Sequence, residues 1–119
     1  MYGEIKLMSS QGDERTIAML ATASTPIRFK QLFGTDLLTG IMKDGDFDLD
    51  VISKLAYLMA NQAAHADLKT LDMNKYIDWL DDFDSMAFMD NVQDILSVYF
   101  RSEERRSQAK KGVARPRVK

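Results

Sequence analysis

Ile5 and Leu7 alternate with Glu4 and Lys6, a period of two that predicts a strand over residues 2–8. Ser9-Ser10-Gln11-Gly12-Asp13 carries turn chemistry. Thr16-Ile17-Ala18-Met19-Leu20 reads as a returning strand, which would complete a hairpin. The alanines at 18, 21 and 23 leave a short helix as the competing assignment.

Helical periodicity follows. Thr25 suits an N-cap and Pro26 the first helical position, where a missing N–H costs nothing. Phe29 and Phe33 share a face at i and i+4, Arg28 and Lys30 are left for solvent, and Gly34 suits a left-handed stop. Thr35 caps a short second helix ending near Gly40, where Asp36 complements the positive dipole end. Residues 43–47 read as a loop. Asp48 or Asp50 caps a third helix, Val51 to about Ala63, with Ile52, Leu55 and Met59 as its buried stripe. Residues 64–70 form a connector. Asp72 caps a fourth helix with Met73, Tyr76, Ile77 and Leu80 on one side. Asp82-Phe83-Asp84-Ser85 breaks it, and Ser85 caps a last helix with a stripe of Met89, Val92, Leu96 and Tyr99.

These elements predict a mostly helical α+β fold: an N-terminal β-hairpin, or a single strand, packed on four to five helices. Residues 1–100 make one globular domain. After Phe100 the apolar pattern stops, and Gly112, Pro116 and the charge predict a disordered basic tail over 101–119. That tail carries a formal +6, which leaves −8 on residues 1–100 within a chain of net −2. An acidic body with a basic end is polarised. The chain has no cysteine, which removes disulfides, thiolate metal sites and cysteine nucleophiles. Neither a signal peptide nor an apolar run of membrane-spanning length is evident, so a cytoplasmic protein is expected.

Few residues suggest chemistry. The alternating aspartates of 44–50 imitate a calcium loop, but counting from Asp46 puts Val51 where the turn needs glycine and Tyr57 where a bidentate Glu belongs. They read better as loop solubilisers and caps. Asp78 and Asp82 share a helix face but lack the histidine or cation a hydrolytic metal pair uses, so a solvated acidic face is the simpler reading. His65 is the sole histidine and stands in an alanine-rich connector, without a nucleophile turn. No glycine-rich phosphate loop is present. The expectation is no catalytic residue, no metal and no cofactor. Tyr76, Trp79, Phe83 and Phe88 cluster where two helices meet, with Met89 close by, and not all fit one buried stripe. An exposed part of this group could receive an amphipathic partner segment.

The run Thr25-Pro26-Ile27-Arg28-Phe29-Lys30-Gln31-Leu32-Phe33-Gly34-Thr35-Asp36, the acidic-start helix at 48–63 and Trp79-Leu80-Asp81-Asp82-Phe83 resemble the tail assembly chaperones of long-tailed (siphovirus-type) phages and prophages of Gram-positive bacteria. The resemblance covers about residues 1–100. It implies a non-enzymatic protein of the host cytoplasm that binds the tape measure protein and keeps it soluble while the tail tube forms. It also implies contacts with the tail tube protein, self-association, and a longer frameshifted form, for which Lys110-Lys111-Gly112 is a candidate slippery site. The alternative is a small nucleic-acid-associated regulator using Arg105, Arg106, Lys110, Lys111, Arg115 and Arg117, although the tail lacks interleaved aromatics.

Overall fold

The structure is a computed structural model that describes residues 2–43 and 46–100. Strands β1 (Tyr2–Met8) and β2 (Glu14–Leu20) form an antiparallel hairpin in the register Tyr2↔Leu20 to Met8↔Glu14. This resolves the ambiguity over 16–20. Ile17 faces Ile5 across the pair, and Met19, beside Gly3, is fully buried. The turn is fastened by Ser9, whose buried hydroxyl accepts from the Gln11 and Asp13 N–H groups (3.1 and 3.3 Å) and bonds the Asp13 carboxylate.

α1 runs Thr25–Phe33, one residue earlier than the cap pattern predicts, with Ser24 at the N-cap. Thr25 does not cap because one local and one tertiary bond use its hydroxyl. It is buried, accepts from Thr22 N–H (2.8 Å) and donates to Gln62 Oε1 (2.8 Å). Gly34 ends α1 at φ 73° as expected, and its N–H donates to the Lys30 carbonyl. α2 (Leu37–Ile41) starts on Asp36 rather than Thr35, since Asp36 Oδ1 accepts from Leu38 N–H (3.3 Å). The expected loop contains a minimal antiparallel pairing, β3 (Met42–Lys43) with β4 (Asp46–Phe47).

α3 (Leu49–Ala63) starts two residues before the predicted point, with Asp48 capping through Asp50 N–H (3.1 Å). It packs against β2, and Ile52, Leu55 and Met59 are fully buried. The connector holds a 3-10 turn at Leu68–Thr70. α4 (Met73–Leu80) is capped by Asp72 Oδ1 to Lys75 N–H (2.9 Å), as predicted.

The single last helix of the sequence reading is in fact two. α5 (Ala87–Asp90) begins after Asp84, whose Oδ2 accepts from Met86 N–H (3.0 Å); Asp84, not Ser85, supplies the side-chain acceptor. At Asn91 the ladder breaks: its side-chain amide takes the Ala87 carbonyl (2.8 Å), and its backbone N–H turns to Phe88 instead. A helix labelled α6 then occupies 92–100. It lies so close to β1 that a Cβ on Gly3 would sit 2.8 Å from Val98 Cγ2. One apolar core runs from Ile5 to Tyr99 through all these layers. The predicted tail, 101–119, lies outside the described residues.

Candidate functional site

The predicted aromatic group does assemble, but as part of a longer chain of rings. Phe29 meets Phe33 (centroids 5.0 Å apart), Phe33 meets Tyr76 (5.6 Å), and Tyr76 meets Tyr57 (5.5 Å). Tyr57 meets Trp79 (5.4 Å), which contacts Phe83 (4.9 Å) and Phe88 (5.5 Å). Edge-on and tilted pairs of this kind are favourable packing. Of the five residues proposed from sequence for partner contact, Tyr76, Phe83 and Phe88 are buried, Trp79 is half-buried, and Met89 is 54% exposed. The three buried rings hold α4 and α5 to the body and offer little to a partner. Sequence reasoning paired Phe29 with Phe33 but did not join that pair, or Tyr57, to the aromatic group. Tyr57 lies about 140° around α3 from Ile52 at 100° per residue, so a bulky ring opposite the stripe was the available sign of a second buried face.

The polar parts of the seam are satisfied. The Ser53 hydroxyl donates back to the Leu49 carbonyl (3.0 Å) and lies 2.8 Å from Tyr76 Oη. Burial pushes the Tyr76 phenol above its ordinary pKa, the Asp50 charge adds to the rise, and the Ser53 contact opposes it. Tyr57 is also raised, by burial and then by the Asp72 charge. Lys54 is held by Asp50 (2.8 Å) and stands 5.3 Å from the Phe33 ring centre.

Two surfaces remain on α4. Its first flank carries Met73 and Ile77, 43% and 48% exposed, one turn apart. The sequence pattern assigned them to the buried side with Tyr76, and only Tyr76 is buried. The second flank borders a solvent-open groove of about 420 Å³ against α3. Tyr57, Ala60, Asn61, Ala64, Leu71 and Trp79 line its floor. Asp78 and Asp82 stand on the rim, and Lys75 Nζ is turned onto the Thr70 carbonyl (2.7 Å). Asp78, Asp81, Asp82, Asp84, Asp90 and Asp94 are all exposed, and among the described residues none of them forms a salt bridge.

His65 has a structural role. Its φ of 56° places it in the left-handed position after α3. Its N–H donates to Gln62 O (3.2 Å) and the Ala66 N–H to Asn61 O (3.0 Å), the paired closure of a Schellman motif. Among the described residues no group of three or more acidic or histidine side chains could hold a metal ion. None of the described helices is long and apolar enough to cross a membrane. The basic positions Arg105, Arg106, Lys110, Lys111, Arg115 and Arg117 fall outside the described residues. Comparison of the chain with protein-family models, with curated proteins and with solved structures finds no match.

Proposed function

We propose that this protein is a tail assembly chaperone: a non-enzymatic binder that shields apolar helical segments of a tape measure protein in the host cytoplasm until tube subunits take them over. The observation that carries the reading is the uncovered apolar flank of α4, Met73 and Ile77, on a helix otherwise well anchored by Tyr76. Paired apolar side chains one turn apart suit an amphipathic helix laid across them. The surface is small, so single contacts are weak. Many copies along one long partner would bind through multivalency. The −8 charge on residues 1–100 keeps the copies from associating with one another non-specifically. Binding and release need no covalent step.

Co-expression tests this. Where a long, coiled-coil-rich reading frame lies beside its gene, the wild-type chain should raise the soluble fraction of that neighbour's product. Met73→Asp with Ile77→Asp, two surface changes, should abolish the rise while the variant itself stays folded by circular dichroism. Equal solubility of the neighbour with and without the wild-type chain would refute the reading.

A further inference from the structure

The groove between α3 and α4 has a largely apolar floor and an acidic rim that forms no salt bridge among the described residues, and the chain carries a matching segment of its own. We propose that residues 101–119 dock in cis on this groove, with Lys110, Lys111, Arg115 and Arg117 facing Asp78 and Asp82 and with Val113 on the floor beside Trp79.

Charge complementarity is the first argument. No Lys or Arg occurs between Lys75 and Arg101, while six aspartates do. Among the described residues Lys75 is the one cation bordering the groove, and its ammonium donates to the Thr70 carbonyl. The body therefore sets one cation against the two carboxylates of Asp78 and Asp82 and forms no ion pair with either among the described residues, whereas the tail holds +6. Fit is the second. A floor of Ala60, Ala64 and Leu71 is shallow, and the apolar residues of the tail are the small Ala109, Val113, Ala114 and Val118.

Reach is the third. The Phe88 ring is 5.5 Å from Trp79. Four residues from 88 to 92 span at most about 14 Å, and α6 rises about 12 Å at 1.5 Å per residue. Phe100 thus lies within roughly 35 Å of the groove, a distance that about ten extended residues cover. Lys110 and every basic residue after it can arrive. Exposed ion pairs are individually weak and fade with salt. A tether raises the local concentration of the tail to the millimolar range, so several weak pairs suffice. The contact uses the flank of α4 opposite Met73 and Ile77 and requires no partner, so it stands or falls separately from the chaperone reading.

Trp79 is the only tryptophan of the chain, so its fluorescence reports on the groove. Acrylamide quenching of the full chain at micromolar concentration should rise about twofold between about 20 mM and about 500 mM NaCl as the pairs are screened. Replacing Arg105, Arg106, Lys110, Lys111, Arg115 and Arg117 by Gln, or Asp78 and Asp82 by Asn, should give the high value at both salts. Zero-length carbodiimide coupling should join Lys110 or Lys111 to Asp78 or Asp82 within a monomer. Equal low-salt quenching of wild type and the tail variant would overturn the proposal. So would protection that vanishes on dilution, which would assign the groove to the tail of a second copy, and so would crosslinks confined to other carboxylates.

Discussion

α3 and α4 pack side by side, and each is capped by an aspartate, yet they meet different fates. Nine of the fifteen residues of α3 are buried, against one of the eight in α4. The hairpin, α1, α2, α4 and α5 all contact α3, so even Tyr57 and Ser53, off its main stripe, find partners. α4 packs on α3, and beyond it reaches α1 through the Tyr76–Phe33 rings and α5 through the Trp79–Phe88 rings. Its apolar arc is wider than the strip α3 can cover, and Met73 and Ile77 are left over. An apolar stripe states which residues share a side; how many neighbours that side receives is a property of the assembled molecule. The core helix is thus a poor place to look for function, and the peripheral helix a good one.

The sharpest way to break this contrast is a pair of truncations. Leu55→Ala in α3 should cost about 2–5 kcal/mol, the range for a buried leucine, whereas Ile77→Ala in α4 should stay within about 0.5 kcal/mol. Denaturant midpoints measure both, and comparable losses would mean that α4 is covered after all. Next in size is the seam between the helices. Tyr76→Phe keeps the ring contacts and removes the hydroxyl near Ser53, with an expected loss of about 1 kcal/mol. The same substitution tests the pH dependence. Because the folded-state phenol is raised, its neutral form is favoured by folding. That stability is complete below the unfolded value near 10 and is lost as pH rises through the folded one. Stability of the wild type should therefore fall above pH 10 more steeply than that of Tyr76→Phe.

A smaller change, of opposite sign, is expected at the end of α3. His65→Gly relieves a left-handed non-glycine residue and should stabilise by about 0.5–1 kcal/mol, seen as a raised midpoint. The smallest effect concerns how the α4–α5 side is tied to the hairpin. Ser10 N–H donates to Asp82 O (2.9 Å) and Asp84 N–H to Met8 O (2.9 Å), both next to the turn that Ser9 and Asp13 hold. The Ser9 hydroxyl, then a backbone hydrogen bond and the Arg15 charge, hold the Asp13 carboxyl below its ordinary pKa against the opposing effect of desolvation. Its contribution is present above the unfolded value and fades as pH falls through the folded one. Asp13→Asn should flatten the acid limb of a stability profile; an unchanged limb would show that the turn tolerates loss of the charge.

Much of the fold was legible because its signals are local. The period-two pattern of β1, the glycine after α1, and the caps Asp48 and Asp72 each need only a few neighbouring residues, and each appears where expected. The misreadings have a common cause. Thr25 is a good cap in isolation, but Gln62, far along the chain, claims its hydroxyl. Asn91 looks like an ordinary helical residue until its amide displaces its own backbone N–H from Ala87. The candidate site was legible as a cluster and illegible as a surface. Tyr76, Trp79, Phe83 and Phe88 do meet, but they face inward, Tyr76 onto Phe33 and Tyr57, Trp79 onto Tyr57, and Phe83 and Phe88 onto Trp79.

The sequence alone determined the strand β1, the order of the helices α1 to α4 and the polarity of charge along the chain, because backbone propensity, capping and periodicity act over a few residues. Tertiary structure decided which apolar residues were left uncovered on α4 and which aspartates form no salt bridge among the described residues. Exposure and ion pairing depend on what arrives from elsewhere in the chain, and no local pattern encodes that arrival.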